Sequence, residues 1–201
     1  METLEQMLQQ VHVHISPRVY AHAQYLADNV SEQAQEHVEV FGVPCGQILG
    51  DKQALFCYID DLFIPVQQEV HHASFVYDGV KVQQEAKKKG LDKKMLGWMH
   101  SHGSIDIFHS SIDHPNILTC LDTSPINFEV KHKDALERYS IFPSIIFNDR
   151  HDTPDLRVYA KRIVIALHNN TPIGVRKHYG FRQLKLESDT SYVLDTFEKD
   201  F

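Results

Sequence analysis

Apolar and polar residues alternate along some segments of the chain and recur at helical spacing along others. The segment VHVHI (11–15) alternates and predicts a strand. The segment SPRVYAHAQYLADNV follows, with Ser16 placed as an N-cap and Pro17 at the first helical position. One apolar stripe of this helix contains Tyr20, Ala23, Ala27 and Val30. The pattern predicts an amphipathic helix that covers a sheet and continues, or restarts after Asn29, through SEQAQEHVEV.

The middle of the chain predicts a hairpin, a helix and a buried strand. VFGVPCGQILG and ALFCYIDDLFIPV are apolar runs on either side of a short polar turn, which is typical of an antiparallel hairpin. DGVKVQQEAKKKG predicts a second helix closed by Gly90. KMLGWMHSH reads as a buried central strand, and HPNILTCLD predicts a third helix with Pro115 in its first turn.

The last third of the chain predicts further strands. SIIFND and LRVYAKRIVIAL form a strand pair around the turn residues RHDTP. The tail from NNTPIGV to Phe201 adds strands or a last helix. The order of elements predicts an α/β (α+β) fold, a mixed β-sheet flanked by helices. A length of 201 residues fits one domain or one domain with an extension.

Composition narrows the class of protein. A hydrophobic content of 42% and a charged content of 23% are ordinary for a globular protein. The net charge of −7 argues against a nucleic-acid partner, and the basic cluster KKKGLDKK (87–94) predicts a solvated helix end. No stretch approaches the roughly 20 apolar residues that cross a bilayer, so we expect no membrane partner. The polar N-terminus lacks a signal peptide's apolar core.

Cysteine and histidine content bear on location and chemistry. Cys45, Cys57 and Cys120 are odd in number and form no C-x-x-C pair, which predicts reduced thiols in a cytoplasmic protein. The chain has 14 histidines, a high count that makes metal chemistry worth testing.

The segment GWMHSHGSIDIFHSSIDH (97–114) carries the strongest chemical pattern. His100 and His102 are spaced to point to one face of a strand, so that both reach one ion. If a helix begins near Ser110, Asp113 supplies a third ligand. Two nitrogens and one carboxylate leave a fourth position open, as in catalytic zinc sites, where zinc lowers the pKa of a bound water toward ~7.

The pair His12 and His14 has the same spacing but no carboxylate or serine at a suitable distance. We interpret it as an edge strand without chemical meaning.

The spacing H-x-H, seven residues, S, two residues, D resembles the signature of the JAMM (MPN+) metallopeptidases, members of the JAB domain family. The order of elements resembles that family over residues 11–165. The resemblance implies the MPN/JAB (cytidine-deaminase-like) fold and one zinc per chain. We expect residues 1–165 to form the MPN domain and residues 166–201 a C-terminal extension packed on it.

The resemblance also implies a general base, a glutamate in an E-x-x-G-x-x-x-G segment. Two registers exist. Gly42 and Gly46 place Glu39 at the catalytic position, whereas Gly46 and Gly50 place Val43 there and predict an inactive protein. We choose Glu39, because a chain with the complete ligand set is expected to keep the base. A solvated helix-end glutamate is the alternative.

Ser110 resembles the family residue that stabilises the tetrahedral intermediate. It could equally cap the helix of Asp113. Gly103 stands where many relatives have proline, which predicts a more mobile loop over 103–109. We interpret His109 and His114 as residues that lie at the surface or behind the metal ligands, and Asp106 as solvated.

The implied function is a zinc-dependent isopeptidase that acts after the C-terminal tail of ubiquitin or a ubiquitin-like protein by attack of zinc-bound water. Segments 67–80 and 114–140 correspond to the family's substrate-shaping insertions. Three alternatives stay open: a non-catalytic scaffold assembled with a partner subunit, a peptidase that releases small adducts from a sulfur-carrier protein, and a zinc hydrolase outside peptide chemistry.

Overall fold

The chain folds around one large mixed sheet with helices on both faces. The computed structural model describes residues 3–51, 54–67, 69–71, 74–76, 79–92, 94–150 and 153–184. The helices are α1 (Leu4–Gln9), α2 (Pro17–Ala34), α3 (Gly79–Lys88) and α4 (Asp113–Cys120). The strands are β1 (Val11–Ile15), β2 (Phe41–Asp51), β3 (Ala54–Phe63), β4 (Glu69–His71), β5 (Ser74–Val76), β6 (Trp98–Ser101), β7 (Ile126–Lys131), β8 (Ala135–Phe147), β9 (Asp155–His168) and β10 (Thr171–Leu184).

The strand order places β6 near the middle of the sheet. Within the described residues, eight strands join in the order β1-β3-β2-β6-β8-β9-β10, with β7 also paired to β8. Strand β6 is antiparallel to β2 and parallel to β8, and β1 is parallel to β3. Strands β4 and β5 form a separate two-stranded sheet. No helix in the described ranges has the length and apolarity to cross a bilayer.

Side chains from the two faces of the sheet form two apolar cores. The first core lies under α1 and α2, and it includes Met7, Ala23, Met99 and Ile145. The second lies under α3 and α4, and it includes Phe41, Trp98, Ile117 and Tyr159. Because successive residues of a strand face opposite ways, Trp98 and Met99 belong to different cores. The even-numbered residues of β6 therefore face α4.

Local sequence signals explain the ends of the first two helices. Thr3 and Gln6 form a capping box at the start of α1: Thr3 Oγ1 accepts from Gln6 N, and Gln6 Oε1 accepts from Thr3 N. Helix α2 begins with Pro17 after Ser16, as expected, although the Ser16 side chain makes no capping bond. It ends at Ala34, and its C-cap residue Gln35 has a left-handed backbone with φ of 56°.

Most predicted elements are present, with different extents. The strand at 11–15, the hairpin of β2 and β3, the helix before Gly90 and the strand pair β8–β9 are confirmed. Helix α2 runs without a restart after Asn29. Helix α1 and strand β7 were not predicted, and β8 begins at Ala135, nine residues before SIIFND.

The C-terminal part of the chain continues the main sheet. Strand β10 pairs along β9 through a turn at Asn169 and Asn170, whose φ values are 50° and 63°. Residues 185–201 lie outside the described ranges, so the expectation of a last helix there is not addressed. The division of the chain at residue 165, which falls within β9, stays a prediction.

Gly46 is expected to tolerate no larger residue. A Cβ at this position would overlap the Tyr58 carbonyl oxygen. Gly46→Ala should therefore lower the free energy of unfolding by about 3 kcal/mol, the upper range for overpacking. Gly174→Ala is the matched control in β10, because nothing lies within 4 Å of its Cβ, and it should change stability by less than about 0.5 kcal/mol. Equal denaturant midpoints for the two variants would contradict this account.

Candidate metal centre

Strand β6 presents two imidazoles on the α4 side of the sheet. His100 follows Trp98 by two residues and therefore shares its face, and His102 continues the same alternation just after the strand ends. The centroids of the two imidazole rings are 5.1 Å apart. The spacing on which the sequence prediction rests thus brings both side chains to one place.

Asp113 reaches this place from the first turn of α4. The chain from Gly103 to Ile112 has no helix or strand, and it folds back so that Asp113 faces the histidines. The Ser110 backbone N–H donates to Asp113 Oδ2 at 2.7 Å. Ser110 Oγ accepts from the backbone N–H groups of Ile112 and Asp113, each at 3.2 Å. Ile112 is the N-cap residue, so Ser110 supports the helix start from two residues upstream.

The three side chains form a compact buried group. His100, His102 and Asp113 each offer one ligand atom, and these atoms lie within 4.8 Å of one another. Their residues are only 1%, 4% and 7% exposed. His100 Nε2 lies 3.5 Å from Asp113 Oδ1. This is the donor set of catalytic zinc sites, with fewer than four protein ligands.

The partner of His102 leaves its second nitrogen available for an ion. The Asp106 backbone carbonyl can only accept a hydrogen bond, so His102 Nδ1, 3.1 Å away, is the donor. In the neutral ring, Nε2 then carries a lone pair. This is the usual arrangement of a metal-binding histidine, whose other nitrogen is fixed by a carbonyl or carboxylate.

His100 has a different partner. The Trp98 indole N–H donates to His100 Nδ1 at 2.8 Å. Since Nδ1 accepts, the neutral ring carries its proton on Nε2, the nitrogen that faces Asp113. A neutral His100 that bound an ion through Nε2 would carry its proton on Nδ1 instead. Metal binding at this residue therefore competes with the Trp98 hydrogen bond, because the ring proton has to move from Nε2 to Nδ1.

Burial keeps the His100 ring neutral. Desolvation lowers its pKa to about 3, and the nearby Asp113 carboxylate opposes this shift. A neutral imidazole is the form that binds metal ions. The residues present therefore fit a divalent metal.

Glu39 lies on the same face as the histidines, immediately before β2. Phe41 pairs with His100 in register, and continuing this antiparallel register by two residues places Glu39 opposite His102. Two further bonds hold this segment: Ser101 N–H donates to the Val40 carbonyl at 2.9 Å, and Val40 N–H donates to Ser101 Oγ at 2.8 Å.

The Glu39 carboxyl is buried, and its pKa is raised. Glu39 is 8% exposed. Desolvation, together with the charge of Asp113, raises its pKa to about 7. Val43, the residue at this position in the other register, is buried in the second core beneath α3 and α4. Glu39 is thus the carboxyl that the fold brings close to Asp113.

His109 was expected at the surface or behind the metal ligands. It is buried and contacts Asp155 and Ser144, so only the first of these alternatives is wrong. His114 is half-buried, and its Nδ1 lies 3.0 Å from the Tyr159 hydroxyl. Neither histidine belongs to the candidate metal-binding group found among the described residues.

The loop that begins at Gly103 is held at several points. Gly103 has a φ of 51°, and its carbonyl accepts from Asp149 N–H at 3.1 Å. The solvated Asp106 pairs with Arg150, with 2.8 Å between Oδ1 and Nη2.

Sequence reasoning missed three contributors to this site. They are the Trp98 indole, the Asp106 backbone carbonyl and the side chain of Asp155. The position of Trp98, two residues before His100, places both side chains on one face and could have identified it. The other two depend on contacts between distant segments.

Comparison with known proteins gives a family match. A family model described as "JAB1/Mov34/MPN/PAD-1 ubiquitin protease" matches residues 8–115, which include the candidate ligands and Glu39. No curated protein matches the chain.

The raised pKa of Glu39 predicts a pH-dependent stability in metal-free protein. An unfolded glutamate ionises near pH 4.5, whereas Glu39 in the fold ionises near pH 7. Between these values only the unfolded state has released the proton, so stability falls as pH rises through this window. Glu39→Gln removes this loss. The pH-dependent difference in the free energy of unfolding, Glu39→Gln minus wild type, should grow from near zero below pH 4.5 to the order of 3 kcal/mol above pH 7.

The measurement is denaturant unfolding from pH 4 to 8. Glu36→Gln, at an exposed position three residues earlier, is the control and should show no such growth. A pH-independent difference between Glu39→Gln and wild type would contradict the assignment.

Proposed function

This chain belongs to the JAB/MPN family, and on that premise we propose that it is a JAMM-type zinc metallopeptidase. Its reaction is hydrolysis of an amide, most simply an isopeptide bond, after the C-terminal tail of ubiquitin or a ubiquitin-like protein. The buried group of His100, His102 and Asp113, with its ligand atoms within 4.8 Å of one another, carries the proposal. The three free thiols fit a cytoplasmic setting.

Each residue has a chemical task in this proposal. His100, His102 and Asp113 would hold the zinc ion. When bound, zinc polarises the scissile carbonyl and acidifies water. Glu39 takes a proton from the attacking water and passes it to the leaving amine. Burial raises the pKa of Glu39 to about 7 in the metal-free site. A bound cation would favour the ionised carboxylate, which is the form that accepts a proton from water.

Ser110 stabilises charge on the carbonyl oxygen. Its Oγ already accepts two backbone N–H groups, from Ile112 and Asp113. These bonds orient the hydroxyl and polarise its O–H, which then donates to the substrate oxygen as negative charge develops. The same bonds stabilise the start of α4, so the two roles expected for this serine are compatible.

The substrate tail would lie as an added strand at the sheet edge beside the site. This mode of recognition uses mainly backbone groups, and the segments 67–80 and 114–140 would then set specificity. A partner subunit that completes the binding surface is compatible with this arrangement. Zinc binding without hydrolysis would instead favour the scaffold alternative.

Zinc content tests the metal-binding group. Wild-type protein should contain about one zinc per chain by elemental analysis, and His102→Ala should lose it, because two ligands rarely hold zinc tightly. His14→Ala is the matched control: it belongs to the other H-x-H pair, which lies on the edge strand β1. Zinc absent from the wild type, even after it is added back, would exclude the peptidase.

Glu39→Gln tests the general base. The variant should keep its zinc but lose turnover by about 10²–10⁴-fold, the usual contribution of a positioned base. Glu36→Gln should retain wild-type rates. Suitable substrates are ubiquitin-like proteins joined to lysine, linear fusions and small C-terminal adducts, tested side by side. Wild-type turnover that survives the Gln substitution would show that another residue is the base.

A further inference from the structure

Ser144, His109 and Asp155 form a buried chain of hydrogen bonds beside the metal-binding group. His109 Nδ1 lies 2.9 Å from Asp155 Oδ2, and His109 Nε2 lies 2.9 Å from Ser144 Oγ. Ser144 belongs to β8 and Asp155 begins β9, so one imidazole from the loop before α4 joins two strands of the sheet. None of these contacts is used by the proposed reaction.

The chemistry of the three side chains determines which atom donates and which accepts in each hydrogen bond. A carboxylate only accepts, so His109 Nδ1 donates to Asp155, and Ser144 Oγ–H donates to Nε2 of the neutral ring. Burial lowers the pKa of His109, which favours this neutral form. Burial also opposes ionisation of Asp155, but hydrogen bonds from His109 and Arg157 outweigh it and lower the pKa of the carboxyl.

The order serine–histidine–aspartate is that of a hydrolytic triad, but burial excludes this role. Ser144 is 0% exposed, so no substrate can reach its hydroxyl. Asp155 is held further by Arg157 Nη2 at 2.8 Å and by Gln183 Nε2 of β10 at 3.0 Å. The network is therefore a rigid polar anchor that spans three strands.

His109 is covalently joined to Ser110, whose backbone N–H and hydroxyl hold Asp113 in place. The chain between Gly103 and Ile112 lacks regular secondary structure, so sheet or helix bonds do not fix Ser110. We propose that His109 is a positioning residue: through Asp155 and Ser144 it fixes the turn 110–113, and with it a metal ligand and the oxyanion-stabilising serine. Its link to catalysis rests on the proposed function, whereas its link to the turn does not.

A second histidine, His114, connects the other side of the turn 110–113 to the sheet. His114 Nδ1 lies 3.0 Å from the Tyr159 hydroxyl, and the His114 and Tyr159 rings are 5.6 Å apart. Tyr159 lies on β9, two residues after Arg157. The turn 110–113 is thus bracketed by two histidines that both contact β9.

Amide hydrogen exchange in metal-free protein tests the positioning role directly. In wild type, the amides of Ser110, Ile112 and Asp113 should exchange slowly because each donates to a partner within the turn. His109→Leu introduces an apolar side chain of similar length and removes both hydrogen bonds of the imidazole. The variant should speed exchange of these three amides by about tenfold or more. His109→Asn, which keeps one donor near Asp155, should give a smaller increase.

Two serine variants separate positioning from general destabilisation. Ser144→Ala removes the donor to His109 Nε2 and should also speed exchange in the turn. Ser124→Ala is the matched control: Ser124 is buried and its hydroxyl donates to the Ile141 carbonyl of β8, but it has no contact with the network. It should lower the unfolding temperature by a comparable amount and leave exchange in the turn unchanged. If His109→Leu does not fold, the Asn and Ser144→Ala variants still decide the question.

Zinc titration and kinetics on the same variants keep the two proposals distinguishable. His109→Leu should weaken zinc affinity by about tenfold and lower kcat at unchanged KM, the effect expected of a residue that orients a ligand. Faster exchange in the turn with no zinc bound by wild type would support the positioning role and overturn the peptidase. Wild-type exchange and zinc affinity in both His109→Asn and Ser144→Ala would overturn the positioning role, whether or not the protein is a peptidase.

Discussion

The register of the four-residue strand β6 determines the geometry of the whole site. On one edge Phe41 pairs with His100, which brings Glu39 opposite His102. On the other edge Trp98 pairs with Ser144, which places the serine where His109 can bind it. Because side chains alternate along a strand, a slip of one residue would turn both histidines toward α1 and α2 and separate them from Asp113. The apolar residues of β6, which belong to different cores, prevent that slip.

The site contains two carboxyl groups that are buried from solvent. Asp113 and Glu39 are both buried, and Asp113 contributes to the raised pKa of Glu39. Two buried carboxylates without a cation are unfavourable, and a Glu39 that holds its proton until about pH 7 avoids this cost. A divalent cation between the ligands would favour the ionised form of both groups. Metal binding and the proton affinity of the base are therefore coupled by charge.

Short-range patterns in the sequence predict much of the fold and the candidate ligands of the site. The alternation of VHVHI, the Ser-Pro helix start and the spacing of His100, His102 and Asp113 each depend on neighbours in the chain. Two local signals went unread: the capping box of Thr3 and Gln6, and the Asn-Asn turn before β10. The parallel pairings β1–β3 and β6–β8, and with them the partner of His109, connect segments whose separation no local pattern specifies.

The hydrogen bond between Trp98 and His100 has an optical consequence. Trp98 is the single tryptophan of the chain, it is buried, and its indole N–H is directed at one candidate ligand. Indole emission depends on the hydrogen bonding and polarity around the ring. Loss of this bond when His100 changes its protonated nitrogen would alter the intrinsic fluorescence of the whole protein. The tryptophan fluorescence of this chain therefore comes from one residue next to a candidate ligand. Occupancy of the centre can be followed by this emission, without a label or a substrate.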